Sequence, residues 1–175
     1  MNIILFGKMG SGKSSIAKYI YNRYNIVHYR SIGNKIHSEC ALHGNETREE
    51  MQQYGQMMRK IFGENVWCNY LYNGCPEKDR IIIDDGRQLN EYDYFTNKGF
   101  IPIAVISDKQ TRLERLSQRV NYIINPETFN HETEIQAQEC INKCSIKLYN
   151  NADKKELFEQ FDKEIKNYWL TKGDI

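Results

Sequence analysis

Residues 3–14 read IILFGKMGSGKS, an apolar run followed at once by a loop of glycine, serine and lysine. The apolar residues 3–6 predict a short strand that is buried on both faces, as in a parallel sheet. Residues 13–23 predict a helix, so the loop lies between a strand and a helix. That is the setting of the phosphate-binding pattern G-x-x-x-x-G-K-[ST], which the chain matches at each fixed position: Gly7, Gly12, Lys13 and Ser14.

The residue types in this loop suit a polyphosphate. Glycines let backbone N–H groups curl around an anion, and the helix that follows adds unpaired N–H groups and the positive end of its dipole. Lys13 is expected to reach the β- and γ-phosphates, and the Ser14 hydroxyl to ligate Mg²⁺. A chance glycine-rich turn is the alternative. We predict an ATP and Mg²⁺ site formed by Gly7, Met9, Gly10, Ser11, Gly12, Lys13, Ser14 and Ser15.

The composition is that of one domain, residues 1–175, of which 40% are apolar. Lys and Arg total 24 and Asp and Glu total 23, and this net charge of +1 argues against binding a nucleic acid polymer through bulk charge. The sequence contains neither an apolar stretch of the roughly 18–20 residues that span a membrane nor a recognisable signal peptide. We expect a cytoplasmic protein, or one of the host cytoplasm if a virus encodes it, without a membrane partner and either a monomer or a homodimer.

The five cysteines are an odd number without a C-x-x-C pair and predict free thiols. Cys140 and Cys144 would share a helix face and could join His131 around a metal. A structural zinc site needs four well-spaced ligands, however, and the sequence offers no fourth.

Strands and helices alternate along the rest of the chain. Further strands are predicted at residues 26–29, 80–83, 100–106 and 145–149, with helices between them. This alternation predicts a parallel sheet covered by helices on both faces, a three-layer α/β sandwich. Ligands of such sheets bind outside the carboxyl ends of the strands, where the loop at residues 7–14 falls.

Capping patterns predict where several helices begin. Thr47 and Glu50 have the S/T-x-x-E spacing of a capping box, and Gly63 is expected to end that helix. Ser107 and Gln110 suggest a second box, for a helix over residues 108–119. Asp153 is predicted to cap the last helix.

Two acids follow the apolar strand at residues 80–83. Asp84 and Asp85 can hold the metal or its waters, or accept a proton from an attacking group. A solvated acid pair at a strand end is the alternative. We favour Asp84 as the residue nearest the metal, and the sequence leaves the division of roles open.

Three arginines are spaced to share one helix face, at i, i+3 and i+7. Such a face is repulsive unless it meets anions or acids, and guanidinium groups suit the equatorial oxygens of a moving phosphoryl group. We therefore predict a lid at about residues 112–135 that closes over ATP. A solvent-facing basic helix paired with Glu114 is the alternative. The three residues are Arg112, Arg115 and Arg119.

A phosphate loop alone does not distinguish kinases from GTPases and ATPases. The base-reading pattern N-K-x-D of GTPases fails at its last position at Asn34 and at Asn97. The arginine-rich lid favours a small-molecule kinase. Acceptors such as a nucleoside, dephospho-coenzyme A or a phosphomevalonate-like compound stay open, as does a non-catalytic nucleotide-binding module.

The sequence resembles the phage-type deoxynucleoside monophosphate kinases, within the wider group of P-loop nucleoside monophosphate kinases. The resemblance rests on GKMGSGKS, TREEMQQYGQMMRKIFGENVW, IIIDDGRQLNEYDYFTNKGF and HETE, which together span most of residues 1–135. It implies transfer of the γ-phosphoryl group of ATP to a nucleoside monophosphate. It also implies strand order 2-3-1-4-5, a core of residues 1–29, 80–119 and 145–175, and a helical acceptor-binding insert at residues 30–79.

The resemblance also carries individual residues. Asp85, Arg87, Asn90 and Glu91 fit its D-x-R-x-x-N-E pattern in order. This implies that Arg87 contacts the acceptor phosphate, while Glu91 binds substrate or instead orients Arg87. His131 and Glu134 match its H-[ET]-x-E piece, without an assigned role. Lys13, Asp84, Asp85, Arg87, Arg115 and Arg119 are the resulting catalytic candidates.

An acceptor insert must supply cations for a phosphate and a flat surface for a base. Arg48 and Arg59 lie on roughly one side of their helix. The alternatives are a surface residue at the first turn for Arg48 and a cation favourable to the helix C-terminus for Arg59. Trp67 is either a stacking surface or a core residue, whereas Met57 and Met58 are expected in the core. The candidate acceptor residues are Lys35, Arg48, Tyr54, Gln56, Arg59, Trp67, Arg87 and Glu91.

Overall fold

The computed structural model describes residues 1–42, 44, 47–118 and 132–172. Arg119, His131 and most of the predicted lid lie outside these residues. Arg48 and Glu134 are described by their helical backbone alone.

The strands of the described residues form one parallel sheet of five strands, in the order β2-β3-β1-β4-β5. The order and the all-parallel pairing confirm the predicted fold. β1 lies at the centre, hydrogen-bonded to β3 on one side and to β4 on the other. The strands are β1 (Ile3–Phe6), β2 (His28–Arg30), β3 (Ile81–Gly86), β4 (Ile101–Ile106) and β5 (Ile146–Tyr149).

Helices cover both faces of the sheet because successive side chains of each strand point to opposite faces. Ile3 and Leu5 of β1 face one apolar cluster, and Ile4 and Phe6 face another. Helices α1 and α8 supply the first cluster, and α5 and α7 contribute to the second. The helices are α1 (Lys13–Arg23), α2 (Ile32–Leu42), α3 (Arg48–Phe62), α4 (Val66–Asn73), α5 (Leu89–Asn97), α6 (Lys109–Ser117), α7 (Glu132–Lys143) and α8 (Lys154–Lys172).

Two of the three predicted helix starts are confirmed. The Thr47 side chain accepts the Glu50 N–H while the Glu50 carboxylate accepts the Thr47 N–H, which is a complete capping box. Asp153 accepts the Glu156 N–H at 2.9 Å. The prediction for α6 was one residue early. Its cap is Asp108, whose carboxylate accepts the Thr111 N–H at 2.8 Å.

Helices α2, α3 and α4 form a helical unit with a small apolar cluster of its own. Ile32, Trp67 and Leu71 are its buried members, with Tyr54 and Met58 packed against them. The prediction that Met57 lies in the core was wrong. Tyr54 and Met58 are four residues apart and point inward, whereas Met57 lies off that stripe and is 46% exposed.

The five cysteines are buried free thiols, as predicted. Among the described residues, no group of three or more His, Cys, Asp or Glu side chains is arranged to hold a metal ion. A search of the same residues found no helix with the length and apolar character that crossing a membrane requires.

Candidate active site

The loop between β1 and α1 is shaped by glycines and closed by a lysine. Gly12 has a φ of 98°, in the region that disfavours side chains. A Cβ at Gly7 would lie 2.4 Å from the Val105 carbonyl oxygen, so a side chain there would strike β4. The buried Lys13 ammonium donates to the carbonyl oxygens of Gly7, at 2.5 Å, and Lys8, at 3.2 Å. Its charge is thereby held at the mouth of the loop.

The N-terminus of α1 favours an anion. No side chain caps it, and its first turn contains no acidic residue. The first turn of α1 therefore contributes no carboxylate of its own to neutralise the positive end of the helix dipole.

Asp84 lies beside Ser14, on the neighbouring strand. The Ser14 hydroxyl donates to Asp84 Oδ2 at 3.0 Å, and the Tyr29 hydroxyl donates to the same oxygen at 2.7 Å. Asp84 Oδ1 is buried and has no hydrogen-bond partner among the described residues. A hydroxyl and a carboxylate side by side are oxygen ligands of the kind that Mg²⁺ prefers, so these residues fit that ion.

The pKa of Asp84 is raised above the usual value of a carboxyl group. Burial is the largest cause, and the charge of Asp85 adds to it. The hydrogen bonds from Tyr29 and Ser14 and the charge of Lys13 act in the opposite direction. A divalent cation at this place would likewise favour the ionised form.

Asp85 has different surroundings from Asp84. Its carboxylate accepts the Ser31 hydroxyl at 2.9 Å and the N–H groups of Ile32 and Gly33 at 2.8 and 2.7 Å. These donors belong to the start of α2. Asp85 therefore ties the first turn of α2 to the end of β3, whereas Asp84 faces the phosphate loop.

The two described arginines of α6 face the protein rather than solvent. Arg112 is buried and donates to the carbonyl oxygens of Met9, at 3.3 Å, and Ser107, at 3.2 Å. Arg115 donates to the carbonyl oxygen of Asn150 at 3.0 Å and to its side-chain Oδ1 at 3.3 Å. For these two residues the alternative of a solvent-facing basic helix is wrong, because their guanidinium groups contact the loop and the end of β5.

Glu91 is a buried carboxylate at the start of α5. Its Oε2 accepts the N–H groups of Arg87, at 2.8 Å, and Gln88, at 3.0 Å. Its Oε1 pairs with the Arg59 guanidinium at 3.4 Å. Burial raises the pKa of Glu91, while the two backbone N–H groups and Arg59 lower it. Glu91 thus fixes the backbone of Arg87.

The predicted acceptor residues are distributed unevenly. Arg59 lies in the last turn of α3, as the alternative of a cation favourable to the helix C-terminus expects, and it also pairs with the buried Glu91 at 3.4 Å. Lys35 pairs with Glu39, and its ammonium lies 3.9 Å from the centre of the Tyr70 ring. Tyr54 is partly buried, and Gln56 is exposed.

Trp67 corrects the prediction of a stacking surface. The side chain is 2% exposed, and its indole N–H donates to the Gly55 carbonyl oxygen at 3.1 Å. A base cannot reach a face that is already packed in the cluster of α2, α3 and α4. The alternative interpretation, a core residue, is the one that the structure shows.

Two residues of the site, Tyr29 and Asn150, were missed in the sequence. Tyr29 lies in β2 and carries no motif. The amide nitrogen of Asn150 donates to the Ser11 carbonyl oxygen at 2.7 Å. Asn150 directly follows β5, at the carboxyl edge of the sheet. That position is a signal that could have identified it.

An open groove of about 790 Å³ adjoins the start of α1. Its wall includes Tyr19 and Phe158, whose rings stack with 4.1 Å between centroids. The groove is lined by Ser14, Ser15, Lys18, Tyr19, Asn22, Arg23, Lys154 and Phe158.

Part of the chain is similar in sequence to a curated protein. A UPF0200 protein of Thermoplasma volcanium is 26% identical over 121 residues, which cover 67% of this chain and 66% of that protein. The chain thus spans slightly less than two thirds of that relative's length.

Solved structures share the fold at low sequence identity. Shikimate kinase from Aquifex aeolicus superimposes with a TM-score of 0.63 at 15% identity, covering 97% of this chain and 99% of that one. A gluconokinase from Sinorhizobium meliloti gives a TM-score of 0.55 at 12% identity, covering 97% and 96%. The fold is therefore that of the small P-loop kinases.

A family model described as an AAA domain matches residues 3–136. The match runs from β1, through the phosphate loop, the acids of β3 and the described arginines of α6, into α7. Because it covers well over half of the sequence, the chain belongs to this AAA domain family.

Proposed function

We propose that this protein transfers the γ-phosphoryl group of ATP to a nucleoside monophosphate, giving ADP and a nucleoside diphosphate. One observation carries the proposal. Ser14 and Asp84 lie 3.0 Å apart beside the buried Lys13, at the carboxyl ends of two neighbouring strands. This cluster combines a cation and two oxygen ligands at the N-terminus of a helix, which is the equipment that phosphoryl transfer needs.

At the nucleotide end, the chain's own residues bind and orient the phosphates. Backbone N–H groups of residues 7–14 and the first turn of α1 surround the anion, and Lys13 adds positive charge. Ser14 and Asp84 would hold Mg²⁺, which when bound neutralises charge on the phosphates. The groove along α1 offers an aromatic and basic wall to the nucleoside part of ATP.

At the acceptor end, the observation that supports the proposal is the turn at the start of α5, which the buried Glu91 holds. Glu91 fixes the backbone of Arg87, and Arg87 follows directly on the strand that carries Asp84. A guanidinium here would meet an acceptor phosphate brought near the metal-facing acid. Positioning and charge stabilisation then supply most of the catalysis.

A second candidate is transfer to a hydroxyl group of a small polyhydroxy acid. The observation that favours it is the shared fold of shikimate kinase and gluconokinase over 97% of this chain. In that case Asp85, or Asp84, would accept hydrogen bonds from the acceptor hydroxyls. The two candidates share the ATP site and differ only in what faces it.

A screen of acceptors tests the proposal. The full chain is incubated with ATP and Mg²⁺ and with each ribo- and deoxynucleoside monophosphate, shikimate, gluconate or a nucleoside, and ADP release is followed by a coupled assay. We expect one monophosphate to stimulate ADP release far above the rate with ATP alone, with a diphosphate product identified by ³¹P NMR.

The remaining outcomes separate the alternatives. Stimulation by a hydroxy acid but by no monophosphate would replace the first candidate with the second. Nucleotide binding without stimulation by any acceptor would contradict both and favour a binding module. Lys13→Ala serves as the blank for contaminating kinases, because it removes the cation that faces the phosphates.

A further inference from the structure

Asn150 uses all of its polar groups at the junction of β5 and the phosphate loop. Its side chain is buried, and its backbone N–H donates to the Ile106 carbonyl oxygen at 2.7 Å. Its carbonyl oxygen and its side-chain Oδ1 accept from the Arg115 guanidinium at 3.0 and 3.3 Å. Its Nδ2 donates to the Ser11 carbonyl oxygen at 2.7 Å. The amide is therefore held from behind by Arg115 and presents its donor to the loop.

A loop that binds an anion through its N–H groups must turn its carbonyl groups elsewhere. Those carbonyl oxygens then need donors of their own, since they are buried away from water. In this loop three side chains provide them: Lys13 for Gly7 and Lys8, Arg112 for Met9, and Asn150 for Ser11. Lys13 is also assigned to the phosphates, whereas the donors of Asn150 and Arg112 bond carbonyl oxygens of the protein.

Asn150 also packs directly on the loop backbone. A Cβ at Gly12 would lie 2.1 Å from Asn150 Nδ2. The amide thus occupies the space that a side chain at position 12 would need. Gly12 precedes α1 and has a φ of 98°, so Asn150 contacts the loop at a position where both the backbone conformation and the lack of space disfavour a side chain.

We propose that Asn150 is a positioning residue for the phosphate loop. It fixes the Ser11 carbonyl group so that the neighbouring N–H groups face the bound phosphates, and Arg115 in turn fixes the Asn150 side chain. The consequence for nucleotide affinity rests on the proposed function, whereas the restraint on the loop backbone does not. Arg115 then affects the phosphate loop through its contacts with Asn150.

The substitution Asn150→Asp removes the donor and adds a negative charge. It keeps the shape of the side chain and the oxygen that Arg115 contacts, but it replaces the amide nitrogen facing Ser11 with an oxygen. Asn151→Asp is the matched control. Asn151 lies next in the chain, is exposed, and uses its Oδ1 only as an acceptor of the Asp108 N–H at 2.9 Å, which an aspartate can also provide.

Two measurements on the full chain decide the matter. Amide hydrogen exchange of residues 7–15 should become at least tenfold faster in Asn150→Asp, with exchange elsewhere and Tm close to wild type. The Kd for ADP, measured by calorimetry, should rise about tenfold or more. Asn151→Asp should match wild type in both.

Unchanged exchange in the loop, or an equal increase over the whole sheet, would overturn the inference, as would a normal ADP affinity in Asn150→Asp. If the wild-type protein itself bound no ADP, the proposed function would fall. The exchange of the loop amides would still decide whether Asn150 restrains them.

Discussion

The phosphate loop and the helical unit of α2, α3 and α4 are held in different ways. The loop follows a strand that is fully buried and paired on both sides, and three side chains bond its carbonyl groups. The helical unit has a cluster of three buried apolar residues. Its described polar ties to the rest include Asp85 at the start of α2 and the pair of Arg59 with Glu91.

This difference indicates that the two ends of the proposed site differ in how easily they rearrange locally. The proposed nucleotide end is preformed by backbone pairing over long sequence distances. The predicted acceptor end is held by a small apolar cluster and a few polar contacts. Its local rearrangement therefore requires less free energy. Substitutions should therefore separate the two ends experimentally.

The largest effect is expected at the nucleotide end. Lys13→Ala removes the cation at the mouth of the loop and should lower kcat by about 10²–10³-fold, because the transferred charge loses a preorganised partner. Circular dichroism and Tm should stay near wild type. Lys163→Ala, an exposed lysine on α8, is the control. Near-normal turnover of Lys13→Ala would contradict the assignment of the loop.

Trp67→Ala should affect the helical unit while sparing the loop. Deleting a buried tryptophan costs about 3–5 kcal/mol, which is large for so small a cluster. We expect an early unfolding transition in denaturant, a higher KM for the acceptor and an almost unchanged Kd for ADP.

Phe62→Ala is the control for Trp67→Ala, because Phe62 is an aromatic residue of α3 that is 64% exposed. A loss of ADP affinity in Trp67→Ala equal to the loss of acceptor binding would show that the two ends do not separate.

The smallest expected effect is at the tie between α3 and α5. Arg59→Met keeps most of the side-chain volume but leaves the Glu91 carboxylate with its two backbone donors alone. We expect a loss of about 1–3 kcal/mol in the free energy of unfolding at neutral pH. Lys60→Met, at the exposed neighbouring position, should cost little.

The loss of unfolding free energy in Arg59→Met should depend on pH in a defined direction. Burial already raises the pKa of Glu91 above its usual value, and Arg59 lowers it. Without Arg59 the pKa rises further, so the variant takes up a proton first as the pH falls from neutral. The difference in stability from wild type should then shrink toward acid pH. A difference that grows or stays constant between pH 7 and pH 4 would contradict this account.

The parts of the fold that local sequence encodes could be predicted. The strand at residues 3–6, the loop at 7–14 and the box formed by Thr47 and Glu50 each depend on residues within a few positions of one another. The strand order was not a product of periodicity. The resemblance to a kinase family implied this order, and the observed sheet confirms it.

The rest of the site depends on contacts that spacing does not show. Tyr29 meets Asp84 across 55 residues of chain, and Asn150 meets Ser11 across 139. Neither residue belongs to a motif. The sequence could not assign Trp67 for another reason. A large aromatic residue suits both a core and a stacking surface, and the short helix α4 has too few turns to show which side faces inward.

The central place of β1 has a consequence for how the molecule matures during synthesis. Its two partner strands leave the ribosome after it, and the amide that bonds Ser11 comes at residue 150. Because contacts so distant in sequence form late, the phosphate loop is synthesised before the residues that hold it and makes these contacts only after them. A nascent chain that ends before residue 150 would carry the whole motif but lack the hydrogen bond from Asn150 to the loop.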